Sequence, residues 1–89
     1  MDDRQLLART DGILVEVEEE RADQIRKWGE QHHSPHQWLA ILTEEVGEVA
    51  KDVAEMRIDE FDFVNYRKEL IQVAAVAVAA VEALDISRA

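Results

Sequence analysis

The chain contains no cysteine, which excludes a disulfide framework and a thiolate-ligated metal site and leaves nothing to report on redox compartment. With one proline and three glycines it has no linker to separate two domains, and residues 1–89 read as a single domain. No apolar run exceeds the stretch Val73 to Val81, which falls well short of the roughly 18 residues that span a bilayer. That stretch reads as a buried helix, and no membrane partner is expected. Cations are scarce: ten basic against 20 acidic residues give a formal net charge of −10. Such a chain repels a phosphodiester backbone, so no nucleic acid polymer is expected. A free nucleotide stays open, because a divalent ion inverts the local sign and lets an acidic pocket accept a polyphosphate. The start, MDDRQLLARTDG, lacks the basic residues and apolar run of a secretory signal, and a cytoplasmic setting is expected.

What is present is helical periodicity, which recurs three times, while strand patterns are weak throughout. The first helix is expected from about Ile13 to Trp28, ended by Gly29, with residues 3–9 forming a separate turn or an extension across Gly12. Ser34-Pro35-His36-Gln37 carries a capping serine, a proline at the first helical position and a glutamine at the third, and fixes the start of the second helix. Leu39, Leu42, Val46, Val49, Val53 and Met56 then alternate steps of three and four, the spacing of a seam against another helix. Asp59 or Asp62 is the candidate cap of a third helix running to about Leu84. This helix is apolar on nearly every side, and two other helices in a short chain cannot wrap it. The expectation is an all-α, three-helix chain that completes a helical bundle in a homo-oligomer.

Polar residues interrupt this pattern at specific places. Glu45 borders the expected seam beside Trp38 and Ile41, Glu48 follows at i, i+3, and Glu44 lies further out, in i, i+4 reach of Glu48. Between Glu69 and Val81 the only polar residues are Glu69 and Gln72, again at i, i+3. Lone buried carboxylates are costly, so Glu69 facing the pair on the second helix reads as part of an oxygen-rich cage for Mg²⁺ or Mn²⁺. The plainer readings are a solvated acidic flank, with Glu69 paired to Arg67, Lys68 or Arg21. On the first helix Arg21 and Gln24 sit on the core face of Leu14, Val17, Ile25 and Trp28 and need partners there. A guanidinium can grip a phosphate or a carboxylate, and an amide can read a base edge. Trp28 and Trp38 flank the loop and could stack on a base or simply fill the core. His32, His33 and His36 straddle the capping box and are not expected to converge on a metal.

The stretches ERADQIRKWGEQHH, WLAILTEEVGEVAK and YRKELIQVAAVAVAAVEAL together resemble the small MazG-like proteins of the all-α nucleoside triphosphate pyrophosphohydrolase superfamily, over about residues 18–84. The family pattern is E-E-x-x-E followed by E-x-x-D. Glu44, Glu45 and Glu48 match the first half and Glu69 opens the second, but Gln72 stands at the aspartate position. The resemblance implies a Mg²⁺-dependent hydrolase, assembled as a homodimer or homotetramer, that cuts nucleoside triphosphates to monophosphate and pyrophosphate. It also implies Glu45, Glu48, Glu69 and Gln72 as metal ligands and Glu44 as outer ligand or base. Arg21, Lys27, Lys51 and Lys68 are then candidate cations for the leaving pyrophosphate, with Trp28 and Gln24 as candidates for the base pocket. Gln72 offers an oxygen without charge, so a nucleotide- or metal-binding protein with weakened catalysis is the alternative from the binding class. A structural helical assembly module is the third reading.

Overall fold

The computed structural model describes residues 1–56 and 62–88, and the described residues are all helix and short connections. Helix α1 spans Asp3–Trp28, α2 Pro35–Glu55 and α3 Phe63–Ser87. Of the two expectations for residues 3–9 the extension holds: α1 starts at Asp3 rather than Ile13 and runs unbroken through Gly12. Its true start is a capping box in which Gln5 N–H donates to Asp2 Oδ1 (2.9 Å) and Asp2 N–H donates to Gln5 Oε1 (2.8 Å). A mid-helix glycine costs only about 0.5–1 kcal/mol relative to alanine, too little to end a well-capped helix. At the other end Gly29 stops α1 with φ +66°, and its N–H donates to the Ile25 carbonyl. Ser34 and Gln37 close the expected box at the start of α2, with Pro35 in the first turn. Asp62 caps α3 by accepting from Asn65 N–H (3.0 Å), whereas Asp59 lies outside the described residues. Helix α3 continues three residues past the expected end at Leu84.

Helices α1 and α2 each pack on α3 and, among the described residues, not on each other. Helix α2 is antiparallel to α3, with Asp52 beside Asn65 at one end and Trp38 beside Val76 and Ala79 at the other. The core is thin. Trp38, Val76 and Ala79 form its centre, flanked by Ile41, Leu42, Ala80 and Ala83, while Val17 and Ala75 are buried between α1 and α3. The radius of gyration is 15.1 Å, against about 12 Å for a compact domain of this length.

The expected seam of α2 is also corrected. Leu39, Val46 and Val53 are exposed, and the residues turned toward the rest of the chain are Trp38, Leu42, Glu45, Val49 and Asp52. The spacing of four and three is kept, but half of the row is displaced by one residue. The cause is Trp38: its indole is the largest side chain on the helix, and burying it against Val76 and Ala79 rotates α2 toward that side. The rotation carries two carboxylates, Glu45 and Asp52, into positions that face the other helices.

Candidate functional site

Because α1 and α2 diverge over α3, they leave a cleft of about 360 Å³ between them, floored by α3. Its volume lies in the range of small-ligand sites. Helix α1 supplies Glu20, Gln24, Lys27 and Trp28, α2 supplies Trp38, Ile41, Glu45 and Glu48, and α3 supplies Gln72, Val76 and Ala79. Both walls carry carboxylates, Glu45 and Glu48 on α2 and Glu20 on α1; the α1 wall adds an amide, an ammonium and an indole, and the α3 floor is apolar apart from Gln72. Gln24 is buried, 7% exposed, but the expected core face of α1 is corrected: of its apolar members only Val17 is buried, and Leu14, Ile25 and Trp28 are exposed. Trp28 is more than half exposed at the rim, with Lys27 Nζ 5.8 Å from the ring centroid. The indole thus lines the cleft while much of it stays accessible, with an ammonium over its ring.

Electrostatics single out Glu45. Burial pushes its carboxyl above the ordinary range, and the negative charges of Glu48, Glu44 and Glu20 push it further. Next to this group lies a second one that joins α2 to α3. Asn65 Nδ2 donates to Asp52 Oδ2 and to Glu69 Oε1, both at 3.2 Å. The neighbouring Asp52 carboxyl raises Glu69 most, because a proton on one of the two would be shared with the other. Burial and the Asp52 charge add to the rise, Asn65 opposes it, and Glu48 contributes a smaller repulsion. Glu69 Oε2 is buried without a hydrogen-bond partner. Glu48 thus lies within the field of both groups.

An orphaned carboxylate oxygen and a desolvated carboxyl crowded by others both ask for a cation or a proton. The donors are all oxygen, which suits a hard divalent ion. Among the described residues no three carboxylate or imidazole groups converge tightly enough to ligate one ion as their side chains stand. Glu45, Glu48 and Glu69 belong to two adjacent groups rather than one closed cage.

Not every sequence candidate reaches the cleft. Gln24, Lys27, Trp28, Glu45, Glu48 and Gln72 line it, and Glu69 adjoins it. Arg21 does not line it: its Nε and Nη2 grip Glu82 of α3 at 3.3 and 3.0 Å, and the pair borders a separate hollow. Lys68 lines an acidic groove on the other side of α1, with Glu16, Glu19 and Asp23. Arg67 is held by Glu16, whose carboxyl it keeps below the usual range, and so it is not a partner of Glu69. Glu44 and Lys51 are exposed on the outer side of α2. Trp38 is core, with His33 set edge-on against its ring at 4.9 Å, and His32 instead meets Glu30.

Glu20, Asp52 and Asn65 are participants that sequence reasoning passed over. Two of the three carried a readable signal. Glu45, Glu48 and Asp52 follow at i, i+3, i+7, one stripe of an α-helix, and Glu20 is one turn before the buried Gln24. No protein-family model, curated protein or solved structure with which the chain was compared matches it.

Proposed function

We propose that the protein is a divalent-cation-dependent nucleoside triphosphate pyrophosphohydrolase of MazG-like type, releasing pyrophosphate and a nucleoside monophosphate. One observation carries this reading: a single cleft holds the acidic pair Glu45 and Glu48, the facing Gln72, and the Gln24, Lys27 and Trp28 of α1. Glu45, Glu48 and Glu69, with the Gln72 amide oxygen, would hold Mg²⁺ or Mn²⁺. When bound, such an ion supplies charge neutralisation of the phosphates and a lowered pKa for a coordinated water. The protein's own groups do the rest. Trp28 stacks on the base, and the buried Gln24 amide presents a donor and an acceptor to its edge. Lys27 offsets the charge that develops on the departing pyrophosphate. Glu44, exposed at the outer edge, acts through the field it adds to Glu45.

The test is pyrophosphate release from a panel of ribo-, deoxyribo- and modified nucleoside triphosphates with Mg²⁺ or Mn²⁺, beside Glu48→Gln. Turnover lost in that variant with its helicity retained supports the reading; turnover retained would falsify the site. Gln72 at the cleft floor favours one second reading, a protein that binds Mg²⁺–nucleotide without cutting it. That reading expects a thermal shift with nucleotide and Mg²⁺, no pyrophosphate, and gain of turnover in Gln72→Asp.

A further inference from the structure

The amide of Asn65 joins two carboxylates that do not line the cleft. Its Nδ2 carries two protons and meets two acceptors, Asp52 Oδ2 on α2 and Glu69 Oε1 on α3, both at 3.2 Å. The backbone of Asn65 is fixed as well, because its N–H donates to Asp62 Oδ1 in the cap of α3. Glu69 follows one turn along the same helix, at i, i+4. The bridge therefore starts from a set position.

The chemistry of this bridge differs from that of a contact made for stability. Two carboxylates brought to one place repel, and a lysine or arginine between them would remove the cost. Among the described residues no cation takes that place. Arg67 is held by Glu16 and Arg21 by Glu82, Lys68 lines the groove on the other side of α1, and Lys51 is exposed on the outer side of α2. A neutral amide instead fixes both carboxylates and cancels neither charge. Glu69 shows the consequence: Oε1 is taken by Asn65, while Oε2 is buried with no hydrogen-bond partner. Glu48 links this group to the cleft, since it lines the cleft and its charge reaches Glu69. It stands at i, i+4 from Asp52 on the acidic stripe of α2.

We propose that Asn65 is a positioning residue for the divalent cation, fixing Glu69 by one oxygen so that the other is left for the ion, and bringing Asp52 in as a further carboxylate of the site. The proposal rests on the cation-dependent reading given above and adds two residues to it. Gln72 brings that site an oxygen without charge; Asp52 brings a charge, one amide away from Glu69. Groups that orient the ligands of a metal change its affinity by about 10–100-fold when they are removed. A hydrogen bond that served only to tie α2 to α3 would alter the melting temperature and leave cation binding as it was.

The test is titration of the full chain with Mn²⁺ alone, the free ion read by electron paramagnetic resonance. Melting temperature and pyrophosphate release are measured beside it for wild type, Asn65→Ala, Asp52→Asn and Asn65→Lys. Asp52→Asn keeps an acceptor for the Asn65 amide and removes a repulsion, and Asn65→Lys sets an ammonium between the carboxylates. Both are expected to melt at or above the wild-type temperature, so they carry the test even where Asn65→Ala loses its helix packing. The expected result is Mn²⁺ binding by wild type, weakened about 10–100-fold in Asn65→Ala and Asp52→Asn and further in Asn65→Lys. Wild-type affinity retained in both Asp52→Asn and Asn65→Lys overturns the proposal and leaves the cation-dependent reading in place. A wild type that binds no Mn²⁺ overturns both. Affinity lost in these variants, with no pyrophosphate released by wild type, upholds the proposal and removes only the hydrolase reading.

Discussion

Replacing Trp38 tests the packing that creates the cleft. The indole is 8% exposed, lies at the centre of the core and borders the cleft and both neighbouring hollows. Burying a tryptophan removes up to about 230 Å² from water, worth close to 6 kcal/mol at about 25 cal/mol per Å². A compact unfolded ensemble lowers that to roughly 3.5–5 kcal/mol, the range seen when large aromatics are cut to alanine. An opposing contribution comes from Trp38 Nε1, which is buried with no hydrogen-bond partner in the chain. An orphaned donor costs about 1–3 kcal/mol, which is regained when the indole is removed. Trp38→Ala is therefore expected to destabilise by about 3 kcal/mol, a large part of what a domain of this size possesses. Trp38→Phe keeps most of the apolar area and loses the orphan, and is expected within about 1 kcal/mol of wild type. Urea unfolding followed by circular dichroism at one fixed chain concentration measures both. A cost under about 1 kcal/mol for Trp38→Ala, or a phenylalanine as damaging as the alanine, would refute the reasoning.

Further outcomes follow from the backbone and the charges. Gly29→Ala is expected to cost about 1–3 kcal/mol, because its φ of +66° disfavours a side chain although nothing lies near a new Cβ. Gly12→Ala, in open space on a helix, is expected to stabilise by about 0.5–1 kcal/mol; thermal melts of the two variants should shift in opposite directions. Glu45 and Glu69 have raised carboxyls, so their penalty is complete above their folded pKa and vanishes below the unfolded one. Stability should therefore rise as pH falls from neutral toward the ordinary carboxylate range, and Glu45→Gln should flatten that rise in a Tm–pH series. The Glu16–Arg67 pair has the opposite sign, because the Glu16 carboxyl is lowered, and its contribution is lost only below that range. Lys27→Ala is expected to reduce kcat/KM for triphosphate by about 10–100-fold through the loss of one charge at the leaving group, with no change in melting temperature.

Much of the fold was legible because helix ends are local chemistry. Ser34 with Gln37 and Asp62 with Asn65 needed no tertiary information. The box of Asp2 and Gln5 had the same kind of signal, but the glycine at position 12 suggested a break that the cap overrides. The facing of α2 was not local. Its two apolar rows, Leu39/Val46/Val53 and Leu42/Val49/Met56, are equally periodic, and the burial of Trp38 decides between them. The cleft residues were readable where one helix fixed them, as with Gln24 and Trp28 or Glu45 and Glu48. Pairings between helices were not, because periodicity gives a face and not the crossing that meets it. Arg21 therefore found Glu82 on α3 rather than a glutamate of α2, and Glu69 found Asp52 through Asn65.

The central claim is that the cleft between α1 and α2 is where nucleotide is bound and cut. It is tested most directly by measuring Mg²⁺-dependent pyrophosphate release for two sets of variants in parallel. Glu45→Gln, Glu48→Gln and Trp28→Ala alter the cleft, whereas Lys51→Ala and Lys68→Ala alter cations that the fold places outside it. The account predicts that release collapses in the first set and stays near wild type in the second. Release that survives in Glu48→Gln and fails in Lys51→Ala or Lys68→Ala would contradict it and move the site to another face of the helices.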